Sequence, residues 1–228
     1  MKVEIWSDVV CPWCYIGKRR FERALEGFDG AAGVEVEWRS FQLNPAHPVG
    51  KREPLEASLA AKMGRTIAQV REMNDNVTHL AALEGLEYHL ERYQVVNTFD
   101  AHRLAHLGKS LAIGPEVHER LLRAQLVEGE VLDEPETLVR LGEEVGIPAA
   151  DARAMLGSDA FADEVRADIA LAESFGITGV PFFVLGGRMA VSGAQPVETL
   201  ASVLAKAWSE HATADIAEGA ACGPTGCD

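Results

Sequence analysis

Four cysteines in a chain of 228 residues fall into two close pairs, Cys11 with Cys14 and Cys222 with Cys227. Disulfide exchange needs one thiolate to attack and a second thiol near enough to resolve the mixed disulfide, and a Cys-x-x-Cys pair supplies both. The same spacing also serves half of a zinc site, so the setting has to decide. Cys11-Pro12-Trp13-Cys14 follows the apolar–polar alternation Val3-Glu4-Ile5-Trp6 and the doublet Val9-Val10. It leads into a proline-free run where Cys14, Lys18, Phe21, Leu25 and Phe28 recur at helical spacing. The pattern predicts a strand entering a helix, with Pro12 at the first helical position and Cys11 at the N-cap. Zinc knuckles hold their cysteines on glycine-bearing turns, so redox chemistry is the preferred reading and no metal is expected. Unpaired N–H groups and the positive end of the dipole favour an anionic sulfur at a helix N-terminus. Cys11 is therefore the expected attacking sulfur and Cys14, one turn inside, the resolving one.

The tail pair Cys222-Gly223-Pro224-Thr225-Gly226-Cys227 can close a small ring, because glycine and proline turn the chain. It is read as an auxiliary dithiol that relays electrons to Cys11 and Cys14. A regulatory disulfide or a contribution to a zinc site are the competing readings.

The elements that must position the first pair are legible in outline. Val34-Glu35-Val36-Glu37-Trp38 alternates as a second strand continuing toward Phe41 and Leu43, so the chain opens strand, helix, strand, as a parallel crossover unit does. Asn44 to Pro54 holds three prolines and is read as a loop. Residues 1–54 thus form the first part of an α/β domain. Residues 55–175 are read as a helical insertion, with Ile67, Val70, Met73, Val77 and Leu80 on one face and Leu104, Leu107 and Leu111 on another. Asp133, Pro135 and Glu136 have the pattern of a capped helix start. Strand character returns at Pro181-Phe182-Phe183-Val184-Leu185, and Gly186-Gly187 predicts a hairpin into Arg188-Met189-Ala190-Val191. A closing helix over 196–208 completes the second part of the domain (176–208), leaving 209–228 as a flexible tail. Phe21, Phe28 and Trp38 are assigned to the core, and Trp13 to an exposed rim.

With 47% hydrophobic and 25% charged residues the composition is that of an ordinary globular protein. The formal charge of −14 argues against nucleic acid as a partner. The sequence lacks a basic-then-apolar leader at residues 1–8 and any run of about 18 apolar residues, so a soluble cytoplasmic protein without membrane attachment is expected. Nothing in the sequence selects an oligomeric state.

The order strand, Cys-x-x-Cys helix, strand, helical insert, Thr178-Gly179-Val180-Pro181, hairpin, helix resembles the DsbA-like thioredoxin superfamily. The stretch Trp6-Ser7-Asp8-Val9-Val10-Cys11-Pro12-Trp13-Cys14-Tyr15-Ile16-Gly17-Lys18 is similar to its FrnE-type branch. The resemblance implies an α/β thioredoxin-like fold with a large α-helical insertion and thiol-disulfide oxidoreductase activity. It also implies a cis Val180–Pro181 bond beside the active pair. Pro12, Trp13, Val180 and Pro181 would then position substrate, a protein or small-molecule disulfide or dithiol. DsbA-type oxidants carry histidine where this chain has Trp13. An uncharged ring offers the thiolate less, so the potential is expected between those of DsbA and thioredoxin, nearer the reducing end.

The same superfamily holds 2-hydroxychromene-2-carboxylate isomerases and kappa-class glutathione transferases, which typically carry serine at the position of Cys11. That difference favours dithiol exchange, requiring no cofactor, with glutathione as a candidate co-substrate. A glutathione-dependent isomerase or transferase acting on a small aromatic or polyketide-like molecule is the alternative, and a zinc-stabilised interaction module the second. Asn97-Thr98-Phe99-Asp100-Ala101-His102-Arg103 is similar to the insert segment that faces the site in that branch, which makes Asn97, His102 and Arg103 candidate ligand contacts.

Overall fold

The computed structural model describes residues 1–219, with side chains as far as His211. Strand β1 (Lys2–Ser7) runs into helix α1 (Pro12–Glu26), and β2 (Glu35–Ser40) returns parallel to β1, Lys2 opposite Glu35 and Ser7 opposite Ser40. The late strands β5 (Phe182–Leu185) and β6 (Met189–Ser192) form the expected hairpin, turned by Gly186 and Gly187, both at positive φ. β5 pairs antiparallel with β1, giving the sheet order β2-β1-β5-β6.

Alternation along these strands builds the two faces of the sheet. Val3, Ile5 and Phe183 point to one side, where Phe21 and Leu204 close a core between the sheet, α1 and α9 (Val197–Gly219). Trp6 and Val184 point to the other and pack on Ala172 of α8 (Ala162–Ser174). Trp6 also donates its indole N–H to the Asp168 carbonyl at 2.9 Å, so α8 serves as a layer of the sheet domain.

Between the two halves lie α2 (Leu55–Met63), α3 (Ile67–Leu83), α4 (Phe99–Ser110), α5 (Gly114–Arg123) with a π-helical turn at Ala124–Glu128, α6 (Pro135–Glu144) and α7 (Ala149–Leu156). Thr66 caps α3 through a reciprocal box with Gln69. A short antiparallel pair, β3 (Glu53–Pro54) with β4 (Gln94–Val95), ties the start of this region to its middle, a pairing that no periodicity announces. One apolar cluster unites α4 to α7 around Leu104, Leu121 and Leu138, and a second gathers Leu86, Leu122 and Leu126 against Cys14, Tyr15 and Ile16 of α1.

Two local expectations need correction. Helix α9 runs on to Gly219 instead of ending at Trp208, because no glycine or proline interrupts this alanine-rich segment before that residue. The N-cap of α6 is Glu134; the Asp133 carboxylate instead accepts the Gly50 N–H at 2.9 Å. Phe28 and Trp38 join the core between the sheet, α1 and α9 as half-buried members, Phe28 edge-on to Trp208 and Trp38 with its ring also stacked on His118 at 4.1 Å.

Candidate functional site

β1 ends in two polar residues, Ser7 and Asp8, before the turn that lifts Cys11 to the N-cap of α1. Cys11 is extended (φ −89°, ψ 114°), its N–H bonded to the Asp8 carbonyl, and Pro12 takes the first helical position. Carbonyls left over by this turn are claimed from the insertion. Tyr93 donates its hydroxyl to Val10 O at 2.7 Å, and Tyr88 to Pro12 O at 2.6 Å. Burial, above all, holds both phenols above the usual tyrosine range, so they stay protonated donors.

The bond between Val180 and Pro181 is cis. The Cys11 thiol points at the Val180 carbonyl, 3.6 Å away. Gly17, on the next turn of α1, makes this approach possible, since a Cβ there would stand 2.8 Å from the Pro181 ring.

Cys11, Pro12, Trp13 and Val180 border a cavity of about 400 Å³ whose opposite wall, from α2 and α3, is mainly apolar (Leu59, Met63, Met73, Val77). Ser58, Lys62 and Asn74 break that wall, and the Asn74 side-chain amide nitrogen is buried and has no hydrogen-bond partner. Trp13 is 38% exposed at the rim, while Cys11 is 4% exposed. Cys14 is fully buried behind it. Burial first, and then the neighbouring Cys11, push the Cys14 thiol well above its ordinary value, against hydrogen bonds from the Ser7 hydroxyl and the Asp8 main chain that pull it down.

The structure thus brings Cys11, Pro12, Trp13 and Val180 to one cavity, with Pro181 packed against α1 and Cys14 beneath. It does not bring Asn97, His102 or Arg103 there. The Asn97 amide donates to His47 O at 2.6 Å, and its oxygen accepts the Phe99 N–H at 2.9 Å, starting α4. His102 is buried with Nε2 3.3 Å from the Asp8 carboxylate. Arg103 is buried too, spending its fork on Asp100 and on the carbonyls of Met155, Ser158 and Ala160, so it pins the α7–α8 connection. On α4, Arg103 is closed over by protein and His102 turns toward Asp8 and a second cavity, which single-helix patterning could not reveal.

The sequence reading passed over Ser7, Asp8, Asn74, Tyr88, Tyr93 and His118. The first two carried a signal, since paired polar residues closing an apolar strand beside a reactive motif need partners; the rest come from distant segments. A second cavity, about 300 Å³, lies between β2, α4 and α5 beside Trp38 and His118, and no cysteine lines it. Cys222 and Cys227 lie outside the described residues. Among the described residues no group of three or more His, Cys, Asp or Glu side chains is arranged to hold a metal ion, and no helix is long and apolar enough to cross a membrane.

Comparison with known proteins joins these observations. Residues 2–205 match the DSBA-like thioredoxin domain. A solved structure of a probable DsbA oxidoreductase from Streptomyces coelicolor is 40% identical, with a TM-score of 0.89 over 100% of this chain and 98% of that one. The uncharacterized protein YwbO of Bacillus subtilis is 30% identical over 186 residues, 81% of this chain and 86% of its own. A 2-hydroxychromene-2-carboxylate isomerase structure shares the fold at 17% identity, with a TM-score of 0.69 over 93% of this chain and 98% of that one. A thioredoxin-like α/β sheet carrying a helical insertion, a Cys-x-x-Cys pair at the head of its first helix and a match over nearly the whole length lead to one conclusion: the chain belongs to the DsbA-like thioredoxin domain family.

Proposed function

We propose that the protein is a thiol-disulfide oxidoreductase that works through Cys11 and Cys14. The observation that carries this reading is the placement of the two sulfurs. Cys11 stands at a helix N-cap on the wall of an apolar cavity, beside a main-chain carbonyl, and Cys14 waits one turn behind. In reduction, the Cys11 thiolate attacks a substrate disulfide. The substrate S–S bond breaks, a mixed disulfide forms, and one substrate sulfur leaves and takes up a proton. The Cys14 thiolate then attacks the Cys11 sulfur, the mixed disulfide breaks, and the second substrate thiol departs as the protein becomes a disulfide. The reverse sequence oxidises a dithiol. Neither step calls for a metal or organic cofactor, and glutathione is a suitable co-substrate to reset the pair.

The apolar wall favours substrates with hydrophobic groups next to the reacting sulfur. Trp13 at the rim and the main chain of Val180 are the groups placed to touch them. Few, paired cysteines fit work in the reducing cytoplasm, with Cys222 and Cys227 as an auxiliary relay.

Trapping tests the order of events. Cys14→Ser, mixed with a peptide disulfide, is expected to accumulate one covalent adduct on Cys11 by intact mass, and Cys11→Ser none. Full turnover by Cys14→Ser with added glutathione would instead favour the glutathione-dependent isomerase or transferase, and stoichiometric zinc in reduced protein would favour the interaction module.

A further inference from the structure

Behind the fully buried Cys14 lies a polar chain that the proposed cycle has not yet used. His118, on α5 and almost wholly buried, places Nε2 3.0 Å from the Ser7 hydroxyl oxygen. Ser7 in turn acts to lower the Cys14 thiol, the direction that a hydroxyl proton turned toward the sulfur gives. The other ring nitrogen of His118, Nδ1, is buried without a partner, and the ring is clamped by Trp38 stacked at 22°.

These facts fix the direction of the chain. A buried N–H without an acceptor is costly, so the single proton of a neutral imidazole belongs on Nε2, where Ser7 accepts it. With its oxygen already accepting, the Ser7 hydroxyl turns its own proton toward sulfur. The ring is neutral because burial, then Lys18 from α1 and His102 from α4, outweigh Glu119 of its own helix and push the imidazole down to about 3. Lys18 is itself paired with Glu22 and Glu119. The groups facing Cys14 are Cys11, Asp8 through its main chain, and the Tyr88 hydroxyl.

We propose that Ser7 and His118 are positioning residues for the Cys14 thiolate: the fixed imidazole aims the serine proton at the sulfur and sets how fast Cys14 resolves a mixed disulfide. The inference rests on the thiol-exchange reading above. In the resolving step the Cys14 thiolate attacks the Cys11 sulfur, the bond from Cys11 to substrate breaks, and the departing thiolate takes up a proton, balancing the one Cys14 gave up. No further oxidant is needed. A donor aimed at an anionic sulfur stabilises it far more than it does the thiol, so it acts where the buried site otherwise resists charge.

The test is a single-turnover reaction with oxidised glutathione across a pH series, quenched by alkylation and read by intact mass. It separates adduct formation on Cys11 from resolution by Cys14. For Ser7→Ala and His118→Phe, resolution is expected to slow about tenfold, with its pH midpoint moved up, while adduct formation keeps its wild-type rate. His118→Gln, which restores an N–H near the Nε2 position, is expected to recover most of the rate. Ser7→Ala alone carries the test if His118→Phe does not fold. Normal adduct formation with wild-type resolution and an unmoved midpoint would overturn the inference alone, as would His118→Gln behaving like His118→Phe. Absence of any Cys11 adduct would overturn the thiol-exchange reading and the inference with it.

Discussion

Cys11 opens onto apolar side chains of α2 and α3 with a main-chain carbonyl beside it, whereas Cys14, one helical turn away, is buried beside Ser7 and Asp8, which are tied in turn to His118 and His102. The substrate side is shaped by what it leaves empty, a cavity with an exposed indole at its edge. The resolving side is shaped by what it satisfies, with hydroxyl, carboxylate and imidazole interlocked. Two sulfurs of one short motif thus meet different requirements. In the proposed cycle the attacking thiol must be reached, and the resolving thiol, buried as it is, must still be able to ionise. The insertion builds both surroundings, lending α2 and α3 to the first and α4 and α5 to the second.

The polar side is expected to give the larger response when broken, and acid is the simplest way to break it. His118 in the folded protein resists protonation down to about pH 3, while an unfolded histidine takes up its proton near 6.5. Between those values the unfolded chain binds more protons, so this contribution is complete above about pH 6.5 and is lost as the pH falls toward 3. The loss is on the order of 1 kcal/mol per pH unit. Denaturant unfolding at pH 7 and pH 5 should show wild type losing more stability than His118→Gln; equal losses would contradict the buried neutral ring.

The substrate side is expected to respond less in stability. Gly17→Ala places a methyl carbon 2.8 Å from the ring of Pro181, and a proline ring cannot swing aside. Helix α1 and the segment carrying Val180 must then part, at about 1–3 kcal/mol. Adduct formation on Cys11 should slow, while the acid response of His118 stays as in wild type. A variant as stable and as fast as wild type would show that this contact does not hold the Val180 carbonyl against Cys11.

The sequence made one of these sides far more legible than the other. Cys11 at the N-cap, Pro12 at the first helical position, the strand before them and the Gly186-Gly187 hairpin are local features, set by turn chemistry and short-range periodicity, and the structure has them where the pattern puts them. The cis bond at Val180–Pro181 came from resemblance, since local sequence alone favours trans. The resolving side is assembled from residues as far apart as Ser7, His102 and His118, and a single helix pattern cannot say which helix will cover which strand end. Arg103 shows the limit plainly. On α4 it has the look of a solvated or ligand-facing charge, yet three carbonyls from the α7–α8 connection close over it. The overrun of α9 past Trp208 is a smaller case, where polar side chains were taken for a helix end although nothing in them stops a helix.

The central claim, that Cys11 and Cys14 act as one two-electron couple, is tested most directly by equilibrating the wild-type protein in a series of glutathione redox buffers. Alkylation, intact mass and peptide mapping then report which thiols remain. The account predicts that Cys11 and Cys14 disappear together in one reversible transition, at a potential well below the roughly −120 mV of DsbA and nearer the −270 mV of thioredoxin. A stable glutathione adduct on Cys11 with Cys14 still free would contradict it; one joint transition at the value of DsbA would keep the couple and overturn only the expected reducing potential.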